Sequence, residues 1–141
     1  MNSRAALVLV ATAVALTPTV TPAFAAPHAT SKTVSYNNIV SPSGHISCHR
    51  VMKRAYIECM GPDVPQKDTM GDPTVFLNKH GHATLGGQGD FDGYSTAVHT
   101  LQYGDTWKRP GITCRMRTTG LTCLNLSGHG FHIQTGNFYT F

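Results

Sequence analysis

The sequence predicts an all-β fold, a small disulfide-stapled sandwich or partly closed barrel of short antiparallel strands. Three observations predict it. Past the N-terminal region there is almost no helical periodicity, while threonine, serine, glycine and aromatic residues recur in short alternating runs. Charged residues make up only 13 % of the chain and glutamate occurs once, at Glu58, which leaves little material for amphipathic helices. The four cysteines fall in two stretches of one pattern, GHISCHRVMKRAYIEC (44–59) and GITCRMRTTGLTC (111–123).

Taken in order, the chain opens with MNSR, a short basic segment, and then AALVLVATAVAL, an apolar run of signal-peptide length. TPTVTPAFA follows, with two prolines and small residues at Ala23 and Ala25, so residues 1–25 read as a signal peptide cleaved after Ala25. The apolar run is shorter than the roughly 18–20 residues that span a bilayer. Residues 26–34 read as a flexible leader and 35–141 as a single β domain. Cleavage removes Arg4 and leaves ten Lys and Arg against seven Asp and Glu. With no block of five basic residues, this mild excess argues against a nucleic-acid partner.

Strands are expected near 36–40, 45–51, 55–60, 74–79, 97–103, 112–117, 120–126, 130–134 and 137–141. GPDVPQKDTMGDP (61–73) reads as a loop, as does the glycine-rich HGHATLGGQGDFDG (80–93), which has room for one short strand. YGDTWKRPG (103–111) reads as a turn carrying the only tryptophan.

Four cysteines in an exported chain read as two disulfides, of which sequence alone allows three connectivities. Side-chain alternation helps to choose. Pairing Cys48 with Cys59 across a hairpin puts Lys53 and Arg54 at the tip. Ile46, Cys48, Ala55, Ile57 and Cys59 then share one face, and Ser47, His49, Tyr56 and Glu58 take the other, with His49 opposite Glu58. Pairing Cys114 with Cys123 puts Thr118 and Thr119 at the tip. Ile112, Cys114, Met116, Leu121 and Cys123 then oppose Thr113, Arg115, Arg117 and Thr122. Both hairpins resolve into an apolar face and a polar one. The expected disulfides are therefore Cys48–Cys59 and Cys114–Cys123; the alternative cross-links the two hairpins between facing sheets.

SPSGHISC (41–48), LQYGDTW (101–107), GITC…GLTCLNLSGHGFHI and the aromatic end NFYTF resemble a family of small exported actinobacterial proteins classed as a domain of unknown function. The resemblance runs from about residue 38 to the C-terminus, and its most specific part is the pair of glycine–cysteine hairpins followed by N-x-x-G-H-G-F. His45 replaces an expected asparagine, and 80–93 has no counterpart. The resemblance implies export and cysteine pairing, and no catalytic residues.

Histidine is the main candidate for chemistry. His80 and His82 flank a glycine, and His129 and His132 follow in GHGFH; together, with Asp90 or Asp92, they offer a Zn or Cu site. No H-E-x-x-H or cysteine–histidine zinc spacing occurs. The competing reading puts His80 and His82 on a solvated loop and pairs His49 with Glu58. GDFDG (89–93) starts like a calcium loop but lacks the later ligands. Ser127 beside His129 can be drawn as part of a hydrolase triad, yet no G-x-S-x-G is present. Among aromatics, alternation puts Tyr139 and Phe141 on one face and Phe138 on the other. Trp107, with Lys108 and Arg109, is a candidate ligand-binding set for a glycan or protein. The leading expectation is a secreted, non-catalytic binding module for an envelope or extracellular partner, without a cofactor. The second is a histidine-based Zn or Cu protein, and the third a small extracellular hydrolase.

Overall fold

The computed structural model describes residues 30–51, 56–67, 71–88 and 97–141. The signal-peptide reading, the Lys53-Arg54 tip and the Asp90/Asp92 pair lie outside these residues. Twelve strands are present: β1 (Thr33–Val34), β2 (Asn38–Val40), β3 (Ser47–Arg50), β4 (Tyr56–Met60), β5 (Asp72–Asn78), β6 (Thr84–Gln88), β7 (Val98–Thr100), β8 (Thr106–Arg109), β9 (Ile112–Arg117), β10 (Gly120–Asn125), β11 (Gly130–Gln134) and β12 (Asn137–Thr140). No helix occurs among the described residues.

The strands form two mixed six-stranded sheets packed on one core, a sandwich and not a closed barrel. The N-terminal sheet runs β6-β5-β4-β3-β2-β7 and the C-terminal sheet β1-β8-β9-β10-β11-β12. Each is a five-stranded antiparallel meander, β2 to β6 or β8 to β12, with one added parallel strand. The added strands are exchanged: β1 pairs with β8, and β7 pairs with β2. A parallel pair cannot be closed by a tight turn, so these two strands tie the halves of the chain together.

The register is the same in both meanders. Ile39, Cys48, Cys59, Val75 and Leu85 lie in one cross-strand row of the N-terminal sheet. Trp107, Cys114, Cys123 and Phe131 lie in the matching row of the other, with Val34 beside Trp107. Each row has a disulfide at its centre, across the middle strand pair of its sheet. Cys48–Cys59 and Cys114–Cys123 are both formed, with Cα–Cα distances of 4.1 and 4.0 Å, the spacing of narrow, non-hydrogen-bonded antiparallel pairs. Ile46 and Ile112, two residues ahead of each first cysteine, are both buried. The repeated cysteine pattern is thus one half of an internal structural duplication.

Two segments differ from the sequence expectation. Thr106–Arg109 is a strand, not a turn. Trp107 is fully buried in the core row, and the actual turn is Tyr103-Gly104, closed by Asp105, whose carboxylate accepts from Gln102 N (3.2 Å) and Lys32 N (2.9 Å). Thr33 and Val34, placed in the flexible leader, form β1 because Val34 packs against the core beside Trp107. The glycine-rich loop holds the one short strand it had room for, β6, whose Gly86 and Gly87 pair with Thr74 and Pro73.

Candidate functional site

The structure separates Trp107, Lys108 and Arg109. The Trp107 ring has no exposure, and its Nε1 donates to Tyr36 O at 2.7 Å. An aromatic ring in that position packs the core and cannot present a face to a ligand. Arg109 clasps the chain ahead of β2, donating from Nη1 to Ser35 O and to Tyr36 O (2.9 Å) and from Nη2 to Asn37 Oδ1 (3.0 Å). Partial burial, then the nearby Arg50, pulls its guanidinium below the usual arginine range. Of the three, only Lys108 is free to meet solvent.

The outward face of the C-terminal sheet is built differently. Alternation turns Ile112, Cys114, Met116, Leu121, Cys123, Phe131 and Ile133 inward, so their neighbours point out. One outward row reads Thr106, Arg115, Thr122, His132, Tyr139, and the next reads Lys108, Thr113, Leu124, Gly130, Phe141. Arg117 lies beyond them at the hairpin end. Cations therefore occupy the β8–β9 half of the face and rings the β11–β12 half. None of the six strands of this sheet contains an aspartate or glutamate.

The aromatic half is ordered by its own contacts. His132 stacks on Tyr139 with centroids 5.1 Å apart, and Tyr139 meets Phe141 at 6.0 Å. Thr122 Oγ1 lies 2.9 Å from His132 Nδ1, which fixes the imidazole in the row. Gly130 has to be glycine: a Cβ there would lie 1.9 Å from Cys123 O and 2.9 Å from the Phe141 ring, which covers it. Leu124, Tyr139 and Phe141 are 45 %, 47 % and 41 % exposed. The separation of Tyr139 and Phe141 from Phe138, which packs against the core, follows the alternation. Arg115 and Arg117 were placed on a polar face by the hairpin, but Leu124 was not singled out, and joining them to Tyr139 and Phe141 needed the strand order.

The histidines divide. His80 and His82 lie between β5 and β6, and His82 meets His129, between β10 and β11. The rings of His82 and His129 lie 3.6 Å apart at 34°, and His80 Nδ1 is 3.2 Å from Ser127 Oγ. His132 is not with them, because it faces Thr122 and Tyr139 on the sheet. Among the described residues no three His, Cys, Asp or Glu side chains form a ready metal cage.

Asn125, 6 % exposed, builds this loop end. Its Nδ2 donates to Asn78 O (2.9 Å) and Gly81 O (2.7 Å), and its Oδ1 accepts from Ser127 N (3.0 Å) and His129 N (3.1 Å). Leu126 N adds a bond to Lys79 O at 3.2 Å. The same bonds bear on the hydrolase reading. The Ser127 and His129 amides go to Asn125 Oδ1 and the Gly128 amide to Asn125 O, so these amides are not aimed at a tetrahedral oxyanion. Ser127 also contacts His80, not the His129 that its sequence neighbourhood suggested.

His49 and Glu58 sit opposite each other on the outward side of the N-terminal sheet, with Nε2 3.3 Å from Oε2 and both residues buried. Comparison with protein-family models, curated proteins and solved structures finds no match to this chain.

Proposed function

We propose that the protein is an exported, non-catalytic binding module whose ligand is an anionic glycan, held on the outward face of the C-terminal sheet. One observation carries this: rings and cations share the outward face of a sheet whose six strands contain no aspartate or glutamate. Tyr139 and Phe141 offer flat apolar surface for the C–H faces of sugars. Arg115 and Arg117 carry guanidinium forks matched to carboxylate or phosphate substituents, and Lys108 adds a mobile charge. An oxidising compartment, indicated by the two disulfides, supports export, as do the N-terminal sequence and the resemblance to small exported actinobacterial proteins.

The test is a titration of the mature chain with polygalacturonate and with neutral dextran of similar length. The expected result is salt-sensitive binding of the acidic polymer and weaker binding of dextran. Tyr139→Ala with Phe141→Ala, or Arg115→Ala with Arg117→Ala, lowers affinity for the acidic polymer by about tenfold or more. Equal affinity of both double variants and the parent protein overturns the assignment. Displacement of the polymer by single-stranded DNA at equal phosphate and carboxylate concentrations overturns its glycan part.

A further inference from the structure

We infer that the loop end of the sandwich holds a second, separate site: a Zn²⁺ or Cu²⁺ site on His82 and His129, with His80 as third ligand. The two primary ligands come from different loops that the fold has already brought together, with ring centroids at 3.6 Å. Imidazole nitrogens bind Zn²⁺ at about 2.0–2.1 Å, so two ligands of one ion sit roughly 3.3 Å apart. One tetrahedral ion holds two imidazole centroids about 5 Å apart, so the stacked rings open by about 1.5 Å as their nitrogens turn onto it.

The loops are held for the purpose. Asn125 ties Asn78 and Gly81 on one side to Ser127 and His129 on the other, so the ordering cost falls on folding and not on metal capture. Ser127 acts as the outer partner of His80. A hydroxyl accepting from Nδ1–H leaves the Nε2 lone pair for a metal, the arrangement in which ligating histidines are usually oriented. His80 and His82 are exposed and His129 half-buried, so an ion enters from solvent. Neutral nitrogen donors select borderline metals such as Zn²⁺ and Cu²⁺ over Ca²⁺ or Mg²⁺. No three donors are caged beforehand; the ion completes the set by drawing His80 toward the stacked pair, and water fills the remaining position. His132 is excluded, since its imidazole is engaged with Thr122 and Tyr139 in the sheet row.

The experiment is calorimetric titration of the untagged, metal-free protein with ZnSO₄ and CuCl₂, paired with ¹H–¹⁵N spectra of the histidine rings. One equivalent binds, and Zn²⁺ raises the melting temperature. His82→Gln and His129→Gln each weaken binding by at least about tenfold, while His132→Gln leaves it unchanged within about twofold. Substoichiometric Cu²⁺ broadens the ring signals of His80, His82 and His129 before those of His132. The site is disproved if the untagged protein binds neither metal. It is equally disproved if the variant with His80, His82 and His129 all changed to Gln binds within twofold of the parent, or if His132 broadens first. Circular dichroism of each variant separates lost metal binding from lost folding. Glycan binding is read out independently, so failure at one site leaves the other standing.

Discussion

Asn125 is the residue on which the loop end depends, because its amide makes four backbone bonds from one buried position. Replacing it with alanine removes all four. Asn125→Ala is expected to lower stability by about 2–4 kcal/mol in urea denaturation and to separate the His82 and His129 rings. A loss under 1 kcal/mol, with the ring contact intact, would show that the loops hold themselves. The motif N-x-x-G-H-G-F marked this asparagine in the sequence, but only the neighbouring strand, distant in sequence, shows what it binds. His49 and Glu58 were legible for the opposite reason. Both lie in one hairpin, where counting residues from Cys48–Cys59 is enough to set them face to face. Trp107 was misread because its neighbours Gly104, Pro110 and Gly111 are turn formers, and nothing local reveals the core that receives its ring.

At the scale of elements, strands joined by short hairpins were readable and strands paired across the chain were not. β9 and β10 came through with register and facing because a two-residue turn, Thr118-Thr119, makes their pairing local. β1 and β8 escaped notice: both are four residues or fewer, so alternation has too few positions to show. The disulfides belong to the legible part. Their closed loops are short, at sequence separations of 11 and 9, and the chain-entropy model assigns each about 2.5–3 kcal/mol. Changing Cys114 and Cys123 together to serine is therefore expected to lower stability by at least that amount, because the serine hydroxyls also replace sulfur in the row between Trp107 and Phe131. Thermal melts of the double variant at matched protein concentration test it, and an unchanged melting temperature would count against the disulfide as a structural staple.

For the whole molecule, the duplication explains why one short chain carries the same cysteine pattern twice. Both halves place an isoleucine, two cysteines and their flanking apolar residues in one register, then exchange a parallel strand. The halves differ on their outward faces, and that difference is where function is assigned. In the N-terminal sheet the central outward positions hold His49 and Glu58, both buried. In the C-terminal sheet the matching positions hold Arg115 and Thr122, in a row that continues to His132 and Tyr139 at the open edge. Thr106 and His132 are buried in that row as well, and the difference lies in the exposed Arg115 and Tyr139, with Leu124 and Phe141 in the next row. The measurement that tests this most directly is a backbone and side-chain NMR map of the mature protein titrated with a short oligogalacturonate. Shifts are expected at Lys108, Arg115, Arg117, Leu124, His132, Tyr139 and Phe141, with His49, Glu58 and the N-terminal sheet unmoved. Shifts confined to the N-terminal sheet, or none at saturating ligand, would contradict it.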